Sequence, residues 1–401
     1  MTGDSGSSSG PAWPVLLDGP AADAARRLVD AVAGRPRPAP RAVRPDLGSG
    51  GAGLALAYHQ LDLCRPGEGW HAVAVGHLDA AVRGAERMRL RAPGLLGGLG
   101  GLAFAAGRLG RPLTLRPDNH AGQADRRGLD LSSGLTGSGA VLLDRTLDRQ
   151  DGRTEDPAAD ERLHAALTDL GRRVTAFPGE SPGMAHGPAG PLALLSLALS
   201  AGVEVPGQRA AARRALDRLL EHRRDDDWGP DWHLTGDRDA GPDGRSVPAS
   251  WCHGGPGIAR ALWLAGTALD DAPLRELARD TLLAALRRPP GLRRVDGRPG
   301  LCHGLAGLLL ITLRFARDAG ERGDPVAPAF RQAARSLADR LIDRLIDRLD
   351  GPDGLERLDD RDARAPALTP GLLDGAAGVL LVLLAATTPV PPGWDRALLL
   401  S

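Results

Sequence analysis

The sequence predicts an all-α protein folded as an α/α toroid, a double ring of seven inner and seven outer helices. Three observations predict it: a Gly-x-x-Gly pair recurs seven times, an Ala/Leu-rich run follows every copy, and amphipathic segments separate the copies. Good helix formers with apolar residues on nearly every face describe a helix buried all round, and amphipathic segments between them describe an outer layer. Alternation of the two kinds, repeated seven times, suits a closed ring better than an open solenoid with polar caps.

The copies run in order along the chain. They begin with "GSGGAGLALAYHQL" at Gly50, "LLGGLGGLAFAAGRL" at Gly98, "LSSGLTGSGAVLL" at Gly134 and "MAHGPAGPLALLSLALS" at Gly187. "WCHGGPGIARALWLAG" at Gly254, "LCHGLAGLLLITLRFA" at Gly304 and "LLDGAAGVLLVLLAA" at Gly375 complete the set. The spacing varies from 36 residues (98 to 134) to 71 (304 to 375), so the loops differ between units. An outer helix is clearest in "RQAARSLADRLIDRLIDRL", where Leu337, Leu341, Leu345 and Leu349 recur every four residues.

Ahead of the ring, residues 1–40 are expected to be a disordered polar tail and lead-in, because "MTGDSGSSSG" is small and polar and lacks a signal peptide's pattern. Residues 41–395 form the expected single toroid domain. Among 401 residues, Lys plus Arg and Asp plus Glu both number 50, and aromatics are 3%, which argues against nucleic acid as a ligand. No apolar run reaches the roughly 18 to 20 residues that span a bilayer, so a soluble, cytoplasmic protein that does not cross a membrane is expected. Three cysteines make an odd, sparse set suited to a reducing compartment and poor for a disulfide framework.

The repeat frame singles out a few residues. Just before the first glycine stand Ser49, Gly97, Ser133, His186, His253, His303 and Asp374 in turn, and one place earlier Cys occurs only as Cys252 and Cys302. Equivalent corners of a closed ring converge on one pole, which gathers both cysteines and three histidines at one mouth. Thiolates and imidazole there match zinc, which with three protein ligands keeps a fourth position open for substrate and favours the thiolate of a bound thiol. A pair of buried cysteines beside helix-capping histidines is the plainer alternative. Cys64 lies outside the frame and reads as an inert core thiol. His59, His71, His77, His120, His164, His222 and His233 read as surface or loop residues.

"SWCHGGPG", "CHGLAG" and "AHGPAG", set among seven Gly-x-x-Gly helices, closely resemble the lanthionine synthetase C family, the LanC-like cyclases of lanthipeptide biosynthesis. The resemblance covers residues 45 to 390. It implies an α/α toroid with one zinc ion held by Cys252, Cys302 and His303, and an acid/base pair at His186 and Asp130. Asp46 stands in the same place relative to Gly50 as Asp130 does to Gly134, so the choice of Asp130 rests on the resemblance. Stand-alone members usually carry Tyr where His253 stands, and a His there looks like the cyclase domains of fused synthetases. His253 either shares in proton handling or lines the pocket. An Arg usual four residues before the first zinc cysteine is replaced by Pro248, and a role for Arg245 is in doubt.

The implied reaction is a zinc-dependent Michael addition of a peptide Cys thiol to dehydroalanine or dehydrobutyrine in the same dehydrated precursor peptide, which calls for a dehydratase partner. A His with a pKa near the working pH suits delivery of the α-carbon proton, so His186 is the candidate general acid, with Asp130 either orienting it or receiving the thiol proton. Two alternatives keep the fold: addition of glutathione or another small thiol to dehydroamino acids, and a zinc-stabilised peptide-binding scaffold without catalysis. Residues 222–250, acidic and Gly/Pro-rich with Trp228 and Trp232, are expected to form a long loop near the mouth, either a peptide-holding surface or a solvated linker.

Overall fold

The computed structural model describes residues 13–34, 43–111, 113, 128–154, 156, 158–176, 181–232, 248–349 and 371–401. Seven helices follow the seven glycine corners: α2 (Gly51–Cys64), α4 (Leu99–Arg108), α5 (Leu135–Gln150), α7 (Ala189–Ser200), α9 (Gly255–Ala268), α12 (Leu305–Glu321) and α14 (Ala376–Thr387). Each contacts the next, and α14 contacts α2, so the inner ring closes. Six further helices pack outside it: α1 (Gly19–Ala33), α3 (Trp70–Arg87), α6 (Ala158–Arg173), α8 (Gln208–Leu220), α10 (Ala272–Arg287) and α13 (Ala327–Leu349). A single turn, α11 (Pro290–Arg293), precedes the sixth corner. The outer helix expected between α4 and α5 falls on residues outside those described.

Composition decides the layer. In α14 every residue from Ala377 to Thr387 is buried, whereas α3 buries Ala74, Leu78, Ala81 and Ala85 along one stripe. Each fully buried Leu contributes about 2 kcal/mol, and the Ala-rich outer stripes let the two layers approach closely. In α13, Leu337, Leu341 and Leu345 face the core as expected, while the Leu349 side chain lies outside the described residues.

The glycine pair has a steric cause. Before each inner helix the chain wraps so tightly that in four corners the first helical N–H bonds a carbonyl seven residues back, as Leu305 N does to Arg298 O at 2.8 Å and Leu99 N to Ala92 O at 2.8 Å. A Cβ at Gly257 would collide with Trp251 O, and one at Gly307 with Leu301 O. Both positions need the missing side chain rather than an unusual φ.

Backbone bonds then link corner to corner around the whole pole. Gly48 N bonds Leu96 O (2.9 Å), Leu96 N bonds Ser132 O (3.1 Å), Leu131 N bonds Ala185 O (3.0 Å) and Ala185 N bonds Cys252 O (3.0 Å). Trp251 N bonds Cys302 O (3.2 Å), Cys302 N bonds Leu373 O (2.7 Å), and Leu373 N returns to Gly48 O (2.9 Å). Seven segments far apart in sequence thereby form one rim.

Three expectations need correction. The lead-in through residue 40 is not all tail: Trp13, Leu16 and Leu17 are buried, Trp13 Nε1 donates to Ala385 O (2.6 Å), and α1 packs on α13 and α14. An apolar stripe of Ala22, Ala25, Leu28, Val29 and Val32 drives that docking. At the other end the expected boundary at 395 cuts a buried segment, since Trp394, Asp395, Ala397 and Leu398 lie in a 3₁₀ turn over 393–398 packed inside the ring. The expected loop from 222 contains an antiparallel hairpin, β1 (Arg223–Asp226) with β2 (Gly229–Trp232), and its remainder, 233–247, lies outside the described residues with Arg245 and His233.

Candidate metal centre

Residues 251–253 and 301–303 form the wrapped turns before α9 and α12, so neighbouring corners present Cys252 and Cys302 toward each other with only 2% and 5% exposure. His303 Nε2 stands between the two thiols, 3.1 Å from Cys252 Sγ and 3.8 Å from Cys302 Sγ. Its other nitrogen, Nδ1, lies 3.2 Å from Asp374 Oδ1, contributed by the seventh corner. That contact keeps a proton on Nδ1, donated to the carboxylate, and turns Nε2 toward the sulfurs, the orientation in which a His ligates a metal. Two overlapping donor groups here could hold an ion: Cys252, His253 and His303, and Cys302, His303 and Asp374.

Electrostatics within this cluster follow from its hydrogen bonds. Cys302 donates to Cys252, with His253 and His303 also assisting, which favours the Cys252 thiolate strongly; Cys302 is held as the neutral thiol by that same bond and by burial. The Asp374 carboxylate and the Cys252 sulfur raise the His303 pKa to about 10. The metal-free pair is therefore a thiolate beside an imidazolium, and a cation binding at the sulfurs displaces that proton.

Beyond the cysteines the corner residues form a histidine row. The rings of His186 and His253 stack at 5.2 Å between centroids, and His253 lies 6.4 Å from His303. Ser181 Oγ sits 2.9 Å from His253 Nδ1 and orients that ring. His186 is exposed at the mouth, yet the protein packed beneath it and the adjacent His253 hold its pKa below the ordinary histidine value, with Asp130 opposing that shift. Asp130 accepts from Ser133 N at 2.8 Å and from Ser133 Oγ. Asp46 makes the same pair of bonds to Ser49, so the carboxylate first of all braces its corner. The two differ in what else they meet: Arg44 Nε bonds Asp46 Oδ2 at 2.8 Å, while the charge of Asp130 acts on His186.

The chain belongs to the Lanthionine synthetase C-like protein family. Its description matches residues 41–399, nearly the whole described toroid. Among solved structures the chain is similar to nisin cyclase, with a TM-score of 0.64 and 19% identity over 94% of this chain and 96% of that one, a likeness of fold. No curated protein matches the sequence.

All six residues expected at the LanC-like site lie on the rim: Cys252 beside Cys302, His253 and His303, Cys302 beside His303, His186 stacked on His253, and Asp130 one corner further on. Asp374 and Ser181 were not singled out. Asp374 had a signal, since it occupies in the seventh corner the place His303 occupies in the sixth; Ser181 lies outside the repeat frame and had none. The other histidines need a correction too: His77 stacks on Tyr58 at 5.3 Å and His59 Nδ1 is buried, so neither is a surface residue. Cys64 is half-buried beside Thr388 Oγ1 at 3.3 Å, and burial raises its pKa, as an unreactive thiol requires. Among the described residues no helix is long and apolar enough to cross a membrane.

Proposed function

We propose that this protein is a zinc-dependent lanthipeptide cyclase that closes (methyl)lanthionine thioether rings in a dehydrated precursor peptide, at the rim formed by Cys252, Cys302, His303, His186 and Asp130. The observation that carries the reading is His303, which faces two thiols with Nε2 and is held from behind by Asp374. That donor set suits zinc: two sulfurs and one imidazole from the protein, with a carboxylate behind the imidazole. When bound there, zinc would favour the thiolate form of a substrate cysteine.

The protein's own groups handle the proton. The reaction breaks an S–H bond and the C=C π bond, forms one C–S bond, and adds one proton to the α-carbon, with no net oxidation. His186, with its pKa lowered by burial and by His253, is neutral near pH 7 and able to accept the thiol proton; as imidazolium it is then a competent acid toward the α-carbon. Asp130 supports the charged stage of that cycle, its charge being one of those that favour the protonated ring. His253, stacked on His186 and held by Ser181, fixes the ring plane from which the proton is delivered. The substrate needs dehydrated Ser or Thr residues, so a dehydratase acts before this protein. Work in the cytoplasm, where thiols stay reduced, is consistent with both the cysteine usage and the chemistry.

The test uses purified protein, zinc and a dehydrated Cys-containing peptide, with and without glutathione, followed by alkylation of free thiols and mass spectrometry. Loss of alkylatable thiol at constant mass supports the cyclase. A mass gain of one glutathione replaces it with small-thiol addition, and an unchanged peptide leaves a non-catalytic scaffold.

A further inference from the structure

Residues 393–401 enter the ring from the side remote from the corners and climb toward the metal centre. Asp395, fully buried, takes both Nε and Nη2 of Arg314 in α12 at 2.6 Å, and Arg396 Nη1 reaches Asp144 in α5 at 3.1 Å. Three residues on, the segment reaches the cysteine corner: Trp251 Nε1 donates to Leu398 O at 3.1 Å. Arg260 Nε donates to Leu400 O at 2.8 Å while its Nη1 holds Asp318. Between those two carbonyls Leu399 adopts a left-handed backbone, φ 54°, which a branched side chain rarely takes and which the surrounding bonds hold in place.

Trp251 and Arg260 bracket Cys252 in the sequence, and the segment grips both. Trp251 is also the residue whose backbone N–H bonds Cys302 O, so one buried residue ties the first cysteine's corner to the second and to the 393–401 segment. We propose that Trp251 is a positioning residue for the metal centre, which it anchors to the 393–401 segment through its indole N–H. The proposal rests on the reading of Cys252 and Cys302 as metal ligands. It makes metal affinity depend on a bond on the interior side of the ring, away from the mouth.

The experiment compares Trp251→Phe with Trp13→Phe in the full chain. Both replacements keep an aromatic ring and delete a buried indole donor to a backbone carbonyl, but Trp13 meets α14 at Ala385 and lies outside the cysteine corners. The readouts are the zinc dissociation constant by chelator competition, the visible spectrum of the cobalt-substituted protein, and the urea midpoint of the metal-free chain. Trp251→Phe is expected to weaken zinc about tenfold, as loss of an outer-shell support does, and to shift the cobalt bands, with Trp13→Phe within about twofold of wild type. Should Trp251→Phe fail to fold, Arg260→Lys, which keeps a cation for Asp318 and loses the Nε–H to Leu400 O, is expected to weaken zinc in the same direction. Equal zinc affinities for wild type and Trp251→Phe, with Cys302→Ala unable to bind, overturn the proposal and leave the metal reading standing. A Cys302→Ala chain that binds as tightly as wild type overturns both.

Discussion

Replacing Asp374 separates two opposed effects at the candidate metal centre. Its carboxylate orients His303 from 3.2 Å, and groups that support a ligating His in this way are typically worth 10- to 100-fold in metal affinity. The same contact, together with the Cys252 sulfur, raises the His303 pKa to about 10, so near pH 7 a proton must leave before Nε2 can ligate, and that cost offsets part of the orienting gain. The contact is also long for a charge-assisted bond and partly solvated, with Asp374 59% and His303 35% exposed at their side chains, so screening trims it further. The low end of the range then applies. Asp374→Ala should weaken zinc about tenfold near pH 7.5, roughly 1.4 kcal/mol, and Asp374→Asn, which retains an acceptor oxygen, should fall between it and wild type. Chelator competition gives the constants. At higher pH the proton cost fades for wild type, so the gap between wild type and Asp374→Ala should widen. A gap that closes as pH rises, or an Asp374→Ala affinity within about twofold of wild type throughout, would refute the orienting role.

His186→Asn should cut kcat for ring closure by roughly 10²- to 10⁴-fold with circular dichroism unchanged, and steady-state mass-spectrometric rates will show it. Because the His186 pKa is lowered, wild-type kcat/KM should hold above about pH 6.5 and fall as pH drops through the depressed value, a limb that His186→Asn lacks. Gly307→Ala should destabilise by about 1 to 3 kcal/mol in urea melts, since its new Cβ meets Leu301 O, although Ala is otherwise the better helix former. Gly97→Ala, with nothing within 4 Å of its new Cβ, should be close to neutral. His59, whose pKa is lowered to about 4 chiefly by burial, is neutral when folded and binds a proton near pH 6.5 when unfolded. Stability should therefore fall as pH drops from 6.5 toward 4, by on the order of 1 kcal/mol at pH 5, and urea midpoints of His59→Leu should lose that component.

Much of the ring was legible because its steric demands write themselves into the sequence. A corner that wraps its own helix start cannot accept a Cβ at either glycine, and a helix between two layers cannot accept a polar face, so both signals survive in every copy. That the candidate donors lie together was legible for the same reason: once the corners are equivalent, Cys252, Cys302 and His303 share a rim. Features held by long-range partners left no such mark. The hairpin of "RRDDDWGPDW" looks like a charged loop, but Asp226 caps its turn at Trp228 N and Gly229 N and pairs with Arg288 just past the end of α10, while Trp232 Nε1 reaches Leu219 O. Trp13 likewise needs Ala385, 372 residues away, to become a core residue. Asp130 and Asp46 are indistinguishable by spacing, and their neighbours tell them apart: Arg44 bonds Asp46, while Asp130 acts on His186.

The order of corners around the rim has a chemical logic of its own. At the place of the histidines corners four to seven carry His186, His253, His303 and Asp374, while corners one to three carry Ser49, Gly97 and Ser133, and corner three adds Asp130 four residues ahead of its first glycine. The rim bonds make neighbours in sequence order neighbours in space, so the groups form an arc with acid at both ends, imidazoles between, and thiols below the middle. On the proposed reading, such an arc sets the candidate metal donors and His186, the proposed proton carrier, on either side of His253. A thiol bound on one side and an α-carbon held on the other would then share the space above His253, which is where a bulky residue in place of His253 should hurt most. His253→Trp is expected to lower kcat/KM far more than His253→Ala, with zinc affinity measured alongside to show that the cysteines still bind. Equal losses in the two variants would mean that the imidazole itself, rather than the space above it, is what the reaction uses.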